Sequence, residues 1–409
     1  MFYPAHFNLQ NRKCLVVGGG AVAERKVVSL LLSGGIVTLI SPHTTTYLEF
    51  LAQVGQIVWH NRQFQSGDTD GMFLACAATD LPEINSSVFE DAYEKNGIRL
   101  VNVVDVIPEC TFAAASVVVC GGVSISVSTS GLSPAMSRRI REYLESRFGA
   151  SSLYADESAE TRPVPVENRQ LPYPAYLLLQ DRECGLICTS AQTSQEMKRR
   201  VSLLEGCGSS ITPLTASQVD SARVSDAFLL FAETGCEAAV FAKDALQPRE
   251  FLDDPQTGEF VTPELVVDED LIIGVSTQSE NPVEQNAAGN IHAELLAQFE
   301  NSGYGAFIGF LGSLRPVVLE EIPTQRGRQR FFEALIDDIP GAESSTTAEK
   351  PEKCCLGFVN SDCSTECVFN MIRHGRIQRA RKYALERIEN EKSHDSSVTE
   401  APGMYRHVS

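Results

Sequence analysis

The sequence predicts an α/β protein built on a doubly wound parallel sheet, present twice in tandem, with a second copy that has degenerated. Three observations predict it. A strand-type run, Cys14-Leu15-Val16-Val17, passes through Gly18-Gly19-Gly20 directly into a helical stretch. Strand-type and helix-type segments then alternate as far as residue 104, the pattern of βα units on a parallel sheet. Finally, Tyr3-Pro4-Ala5-His6-Phe7-Asn8-Leu9-Gln10-Asn11-Arg12-Lys13-Cys14 recurs as Tyr173-Pro174-Ala175-Tyr176-Leu177-Leu178-Leu179-Gln180-Asp181-Arg182-Glu183-Cys184, with seven of the twelve positions identical. A recurring block of this kind marks an internal duplication.

In order along the chain, residues 14–17 read as a strand, residues 24–32 as a helix ending at Gly34-Gly35, and residues 36–40 as a second strand. Gly18, Gly20 and Ala23 fit G-x-G-x-x-G/A in the Rossmann-like context that gives the motif meaning. Gly18 allows the tight turn, Gly20 lets a pyrophosphate approach the backbone, and Ala23 permits close helix–strand packing. The helix amino end adds free N–H groups and partial positive charge. A glycine-rich turn without a ligand is the plain alternative; the flanking strand and helix favour a dinucleotide. The second strand ends in Ser41-Pro42-His43, without the acid that would take the ribose hydroxyls. The residues alone therefore do not choose between NAD and NADP.

Residues 72–78 read as an apolar strand ending in Thr79-Asp80, residues 82–95 as a helix, and residues 99–104 as a strand followed by Asp105. A carboxylate at that end of a parallel strand lies on the edge where ligands bind; a loop acid or helix cap is the other reading. Residues 117–119 and 123–127 read as two more strands, leading through Ser128-Thr129-Ser130-Gly131-Leu132-Ser133-Pro134 to a helix with Arg138, Arg139 and Arg141. Those arginines suit a solvated face or, near a polycarboxylate, a clamp.

The 409 residues suggest two or three domains at ~100–200 residues each. With 53 acidic and 34 basic side chains the net charge is −19, which argues against general binding to nucleic acid or an anionic membrane. No apolar run approaches the ~20 residues of a membrane span. Residues 1–9 have neither a basic segment nor a long apolar one, so no signal peptide is expected. Twelve cysteines are too sparse for a disulfide scaffold, and Cys14, Cys76, Cys120 and Cys188 sit singly in apolar runs. That fits reduced core thiols and a cytoplasmic protein.

The run Leu15-Val16-Val17-Gly18-Gly19-Gly20-Ala21-Val22-Ala23-Glu24-Arg25-Lys26 resembles the start of the dehydrogenase–ferrochelatase part of siroheme synthase. So do Ala77-Ala78-Thr79-Asp80, Asn102-Val103-Val104-Asp105 and the turn into Ser133-Pro134, in the same order over about residues 3–148. The resemblance implies NAD-dependent oxidation of precorrin-2 to sirohydrochlorin, with ferrous iron as a further substrate in many members. It implies that Asp105 is a general base and that Gly18, Gly19, Gly20, Ala21 and Val22 lie along the pyrophosphate. Ser41, Pro42 and His43 fall near the adenosine, with Thr79 also on the cofactor. Ser128, Thr129, Arg138 and Arg141 become the candidates for a tetrapyrrole substrate. The uroporphyrinogen methyltransferase domain of the family's long fusions is not expected.

Residues 151–170 read as a linker. After it, residues 105–134 lie over residues 253–282 without a gap, with Asp105 matching Asp253, Phe112 matching Phe260 and Val127-Ser128-Thr129 matching Val275-Ser276-Thr277. The second copy, residues 171–300, has Cys188-Thr189-Ser190 in place of the triple glycine, so it is expected to keep the fold and lose the dinucleotide. Residues 301–338 resemble the family's small helical dimerisation domain. A twenty-residue linker reaches at most ~65–70 Å, enough for copy two to dock on copy one as an internal pseudo-dimer; a homodimer, with dimerisation left to the helical domain, is the other reading. Residues 339–409 read as a flexible tail bearing Cys354, Cys355, Cys363 and Cys367, whose spacing matches no common metal site. Its mixed-charge stretch, residues 371–392, reads as a solvated helix ahead of a docking one. Two other functional readings remain open at this point: a different NAD-dependent reductase on the same fold, and a non-catalytic tetrapyrrole or iron carrier.

Overall fold

A computed structural model gives residues 2–104, 106–148, 171–187, 195–214, 227–232, 247–252, 258–277, 279–337 and 367–399. These described residues fall into two compact units. One draws on residues 1–126, 148–265 and 274–291, the other on residues 127–147, 266–273 and 292–409.

In the first unit, β1 (Tyr3–Phe7) precedes a parallel sheet. Its strands and helices are β2 (Lys13–Val17), α1 (Ala21–Leu32), β3 (Ile36–Ile40), α2 (Thr46–Gln53), β4 (Val58–His60), β5 (Leu74–Ala77), α3 (Pro82–Phe89) and β6 (Leu100–Val103). α3 continues through a wider, π-type turn, Glu90–Lys95. The sheet order is β4-β3-β2-β5-β6, every pair parallel. Parallel strands covered on both faces read as continuous apolar runs. Accordingly, Cys14 and Val16 pack with Ala23, Val27 and Leu30 of α1, while Leu15 and Val17 pack on the other face with Val88 and Ala92. α1 has no side-chain cap at Gly20, which for glycine costs only a few tenths of a kcal/mol. Val27 and Leu30, both fully buried, contribute roughly 1.5–3 kcal/mol each and outweigh it. The helix stops at Gly34, whose φ of +80° is open to glycine.

The chain then forms a short 3₁₀ turn (Ile107–Glu109), β7 (Phe112–Ala114), β8 (Ser116–Cys120), β9 (Val123–Ser128) and α4 (Pro134–Phe148). A second parallel sheet follows, with β10 (Tyr173–Leu177) before it. Its elements are β11 (Glu183–Ile187), α5 (Gln195–Gly206), β12 (Ser210–Leu214), β13 (Leu229–Ala232) and β14 (Arg249–Phe251), in the order β12-β11-β13-β14. After it come β15 (Phe260–Val261), β16 (Glu264–Asp268) and β17 (Leu271–Thr277).

The strands outside the parallel sheets make two further sheets, ordered β15-β1-β10-β7 and β16-β17-β9-β8. In the first of them β1 runs antiparallel to β10, with Tyr3 opposite Leu177, Ala5 opposite Ala175 and Phe7 opposite Tyr173. β15 adds to β1 through Phe7 and Phe260, and β7 adds to β10 through Leu177 and Phe112.

The remaining helices are α6 (Pro282–Phe299), α7 (Tyr304–Glu321), α8 (Gln325–Asp337), α9 (Val368–Arg373) and α10 (Ile377–Thr399). α7 is apolar around its girth, with Phe307, Ile308, Leu311, Leu314 and Val318 buried; Phe369 of α9 packs on Tyr304 and Phe307 at ring-centroid distances of 4.9 and 5.5 Å. The expected flexible tail is thus corrected for residues 367–399, which hold the two helices α9 and α10. The stretch expected to be a solvated helix is broken at Gly375, and Ala380, Ala384 and Ile388 of α10 are buried at four-residue spacing. A packed apolar stripe hides there among the arginines. The linker at residues 151–170, Cys354, Cys355 and Cys363 lie outside the described residues. Among the described residues no helix is long and apolar enough to cross a membrane.

Candidate functional site

A cavity of about 770 Å³ opens at the carboxyl ends of β2, β3, β4 and β5, the edge at which open parallel sheets bind ligands. Gly18, Gly19, Gly20, Ala21 and Val22 form one wall, and Ser41, Pro42, His43, Thr44 and Thr45 a second. Arg62, Gln63 and Phe64 form a third, with Thr79, Asp80, Leu81 and Ile84 closing the fourth side.

The three glycines have different reasons to be there. Gly18 has a φ of +117°, and a Cβ on it would strike the carbonyl oxygen of Ala78. Gly19 lies so close to the turn after β3 that a Cβ would run into the carbonyl oxygen of His43. Its own carbonyl accepts from the Thr45 N–H at 3.0 Å. Sequence reasoning gave Gly19 no such role, because the contact joins two loops. Gly20 has an extended backbone and nothing within 4 Å of where its Cβ would be. That open space lies at the amino end of α1, where first-turn N–H groups and the helix dipole favour an anion.

The other walls are held by hydrogen bonds that occupy several of the candidate side chains. The Ser41 hydroxyl donates to the His43 carbonyl at 2.7 Å, and the Trp59 indole N–H donates to the Ser41 carbonyl at 2.9 Å. Thr45 caps α2 by accepting from the Leu48 N–H and donates to Glu24 at 2.5 Å, tying that turn to α1. Thr79 donates through its hydroxyl to Asn85 at 2.8 Å. At the outer wall Arg62 makes a two-pronged pair with Asp68 at 2.7 and 2.6 Å, and those bonds hold the Asp68 carboxyl below its ordinary range. No pattern in the sequence marked Arg62, Gln63 or Phe64, which follow a strand of three residues.

Asp91 anchors this outer loop from beneath. It accepts from the Ser66 hydroxyl at 2.5 Å, the Thr69 hydroxyl at 2.7 Å and the Gly67 N–H at 3.0 Å. Burial pushes its carboxyl up, and the three hydrogen bonds more than offset that, leaving it below its ordinary value. Asp91→Ala is expected to lower stability by about 2–4 kcal/mol, since buried donors lose a charged acceptor; a urea titration measures it. A carboxyl depressed in the folded protein contributes fully above its unfolded value. The contribution is lost as pH falls through the lower folded value, so the gap between parent and variant closes in acid.

Ser128, Thr129, Arg138 and Arg141 belong to the second unit. There Thr129 donates to the Ser133 carbonyl at 3.1 Å and the Ser128 hydroxyl accepts from the Ser130 N–H at 3.2 Å. Arg138 pairs with Glu333 at 3.2 Å and Arg141 with Glu145 at 2.6 Å. Asp105, Asp253 and Cys188-Thr189-Ser190 lie outside the described residues. Cys367 is buried and caps α9. Among the described residues no group of three or more His, Cys, Asp or Glu side chains is placed to hold a metal.

Comparison with known proteins matches two family models. Residues 5–116 fit a putative NAD(P)-binding family, and residues 121–147 fit the sirohaem biosynthesis protein central family. Siroheme synthase 1 of Serratia proteamaculans is 39% identical over 150 residues, which are 37% of this chain and 31% of that protein. The siroheme synthase of Pseudoalteromonas translucida is 40% identical over 144 residues, 35% of this chain and 30% of that protein. The chain thus spans about a third of the length of these curated relatives. A solved structure, SirC, precorrin-2 dehydrogenase, is 26% identical, with 34% of this chain and 68% of that one covered at a TM-score of 0.31. Over residues 5–147, the segment that builds the glycine-turn cavity and runs on into α4, this chain is similar to siroheme synthases.

Proposed function

We propose that the protein oxidises precorrin-2 to sirohydrochlorin with NAD⁺ in siroheme biosynthesis, and that the reaction takes place at the first α/β half. The observation that carries this reading is the cavity at the glycine turn. Its volume suits a dinucleotide, and the open space beside Gly20 leaves room for a pyrophosphate on the α1 amino end. NAD⁺, when bound, supplies the hydride acceptor. Backbone N–H groups of Gly18 to Val22 hold the pyrophosphate, Ser41, Pro42 and His43 frame the adenosine, and Thr79 lines the same cavity. Asp105 takes a proton from the macrocycle carbon next to the one that loses hydride, so one further double bond joins the conjugated system. Arg138 and Arg141, with Ser128 and Thr129, are assigned to the peripheral carboxylates and exchange their present partners for them. Ferrous iron is a second substrate in this reading, and Asp105 receives pyrrole protons as the metal enters.

In the same reading, residues 1–150 and 171–300 are two copies of one unit, joined by residues 151–170 and followed by a helical dimerisation-type domain at residues 301–338. Support comes from matching detail. Both parallel sheets set their first strand between the next strand on one side and a later one on the other, β2 between β3 and β5, and β11 between β12 and β13. Asn11 and Asp181 share a left-handed φ of +61° and +60°, and Gly34 and Gly208 one of +80° and +79°. Where the first copy has Gly18-Gly19-Gly20 the second has Cys188-Thr189-Ser190, so in this reading the second copy takes no dinucleotide. Anaerobic incubation of the full chain with precorrin-2 and NAD⁺, followed by absorbance with and without Fe²⁺, tests the proposal. Sirohydrochlorin formed only when NAD⁺ is present supports it; an unchanged precorrin-2 spectrum overturns it.

A further inference from the structure

We infer that the seam between the two α/β halves is built for unlike partners, so that the first half pairs with the second half and not with another first half. The inference goes beyond the proposed reaction and stands or falls separately from it. The backbone of the seam is two-fold symmetric in the manner of an isologous dimer. Ala5 faces Ala175, its own equivalent, and the pair of Tyr3 with Leu177 is answered by that of Phe7 with Tyr173. The Asn8 N–H donates to the Glu259 carbonyl at 2.8 Å, and the equivalent Leu178 N–H donates to the equivalent Thr111 carbonyl at 2.9 Å. On backbone grounds, two like halves would dock as well as two unlike ones.

The side chains break that symmetry. Tyr3 is fully buried, and its hydroxyl lies 2.5 Å from that of Thr262. The Thr262 hydroxyl donates to buried Glu250 at 2.8 Å, so it accepts from Tyr3; Glu250 is held in turn by Arg200 through two bonds of 3.1 Å. The first-half equivalent of Thr262 is Ala114, which has no hydroxyl. His6 bonds Ser276 at 2.5 Å and Ser126 at 2.9 Å, and Ser126 bonds Tyr176 at 3.0 Å. Ser126 is matched in the second half by Gly274. A Cβ on Gly274 would lie 2.8 Å from the Ser126 hydroxyl and 2.7 Å from Pro263.

Two first halves would therefore set Tyr3 against Ala114 and Ser126 against a second Ser126. Two second halves would set Tyr176 against Gly274 where it now has a hydroxyl partner. Each lost partner of a buried hydroxyl weakens association about tenfold, and the crowding at residue 126 acts as a repulsive element against the like pairing. Specificity of this kind suits two halves synthesised on one chain, which meet at high effective concentration.

The test uses the full chain with a protease site placed within residues 151–170 and cut after folding. Native mass spectrometry across a urea series is expected to show one 1:1 pair of the two fragments and no pair of like fragments. Tyr3→Phe, which keeps the ring and removes one seam hydroxyl, is expected to lower the 1:1 association constant about tenfold. Gly274→Ser, which gives the second half the first half's residue, is expected to lower it at least as far. Gly289→Ala, where a Cβ meets open space, leaves it unchanged. Like pairs of either fragment, free fragments without urea, or a 1:1 pair indifferent to both seam substitutions would overturn the inference.

Discussion

Gly20→Asp is expected to lose NAD⁺-dependent oxidation while the urea midpoint of the protein stays at or slightly above that of the parent. The backbone at Gly20 is extended and open to any residue, nothing lies within 4 Å of its Cβ position, and α1 there has no side-chain cap. Aspartate is a favoured cap at such a position, so the fold has no reason to suffer. Its carboxylate would stand beside a bound pyrophosphate. Two like charges ~4 Å apart in a partly dry site repel by roughly 4 kcal/mol, about a thousandfold in affinity. Gly19→Ala is a poorer probe, because its methyl collides with the His43 carbonyl oxygen and damages the wall itself. Undiminished turnover in Gly20→Asp would remove the cofactor from this loop. Steady-state assays under anaerobic conditions, paired with a urea titration, give both readings.

Asp105→Ala is expected to slow dehydrogenation by ~10²–10⁴-fold, the usual contribution of a positioned general base. Most of the loss should fall in kcat, with KM for NAD⁺ little changed. The position follows Val104, whose N–H still bonds the Ala77 carbonyl at 3.0 Å, so the chain leaves the ladder on the edge that carries the cavity. Asp253→Ala, at the position proposed to match in the second copy, is expected to leave the rate almost unchanged, because that copy lacks the triple glycine that would bring a dinucleotide beside it. If iron insertion falls with dehydrogenation in Asp105→Ala, one cleft serves both steps. A near-normal rate in that variant would reduce Asp105 to a loop acid.

Much of the first half was legible because its strands are buried on both faces and its turns carry glycine at positions with a stated need. Gly18 and Ala23 have the backbone and packing that the motif implies. What was not legible is long-range. Residues 3–7 belong to a block that recurs in the sequence, yet nothing local shows that Tyr3 to Phe7 form a strand whose partner lies about 170 residues away. Residues 117–119 and 123–127 have the local pattern of strands, but their membership in a separate sheet with β17 is set by tertiary pairing. The Arg62–Phe64 wall depends on Asp91 holding a loop from another element, which no periodicity encodes. In α10 the charges dominate the pattern, and two of the three residues of the buried stripe are alanines, too small to raise it.

Counting the NAD⁺ bound by the full chain tests most directly the claim that one of two related α/β halves holds the cofactor. Calorimetric titration is expected to give one site per chain, absent in Gly20→Asp. Two sites per chain, or a single site that survives Gly20→Asp, would contradict the account.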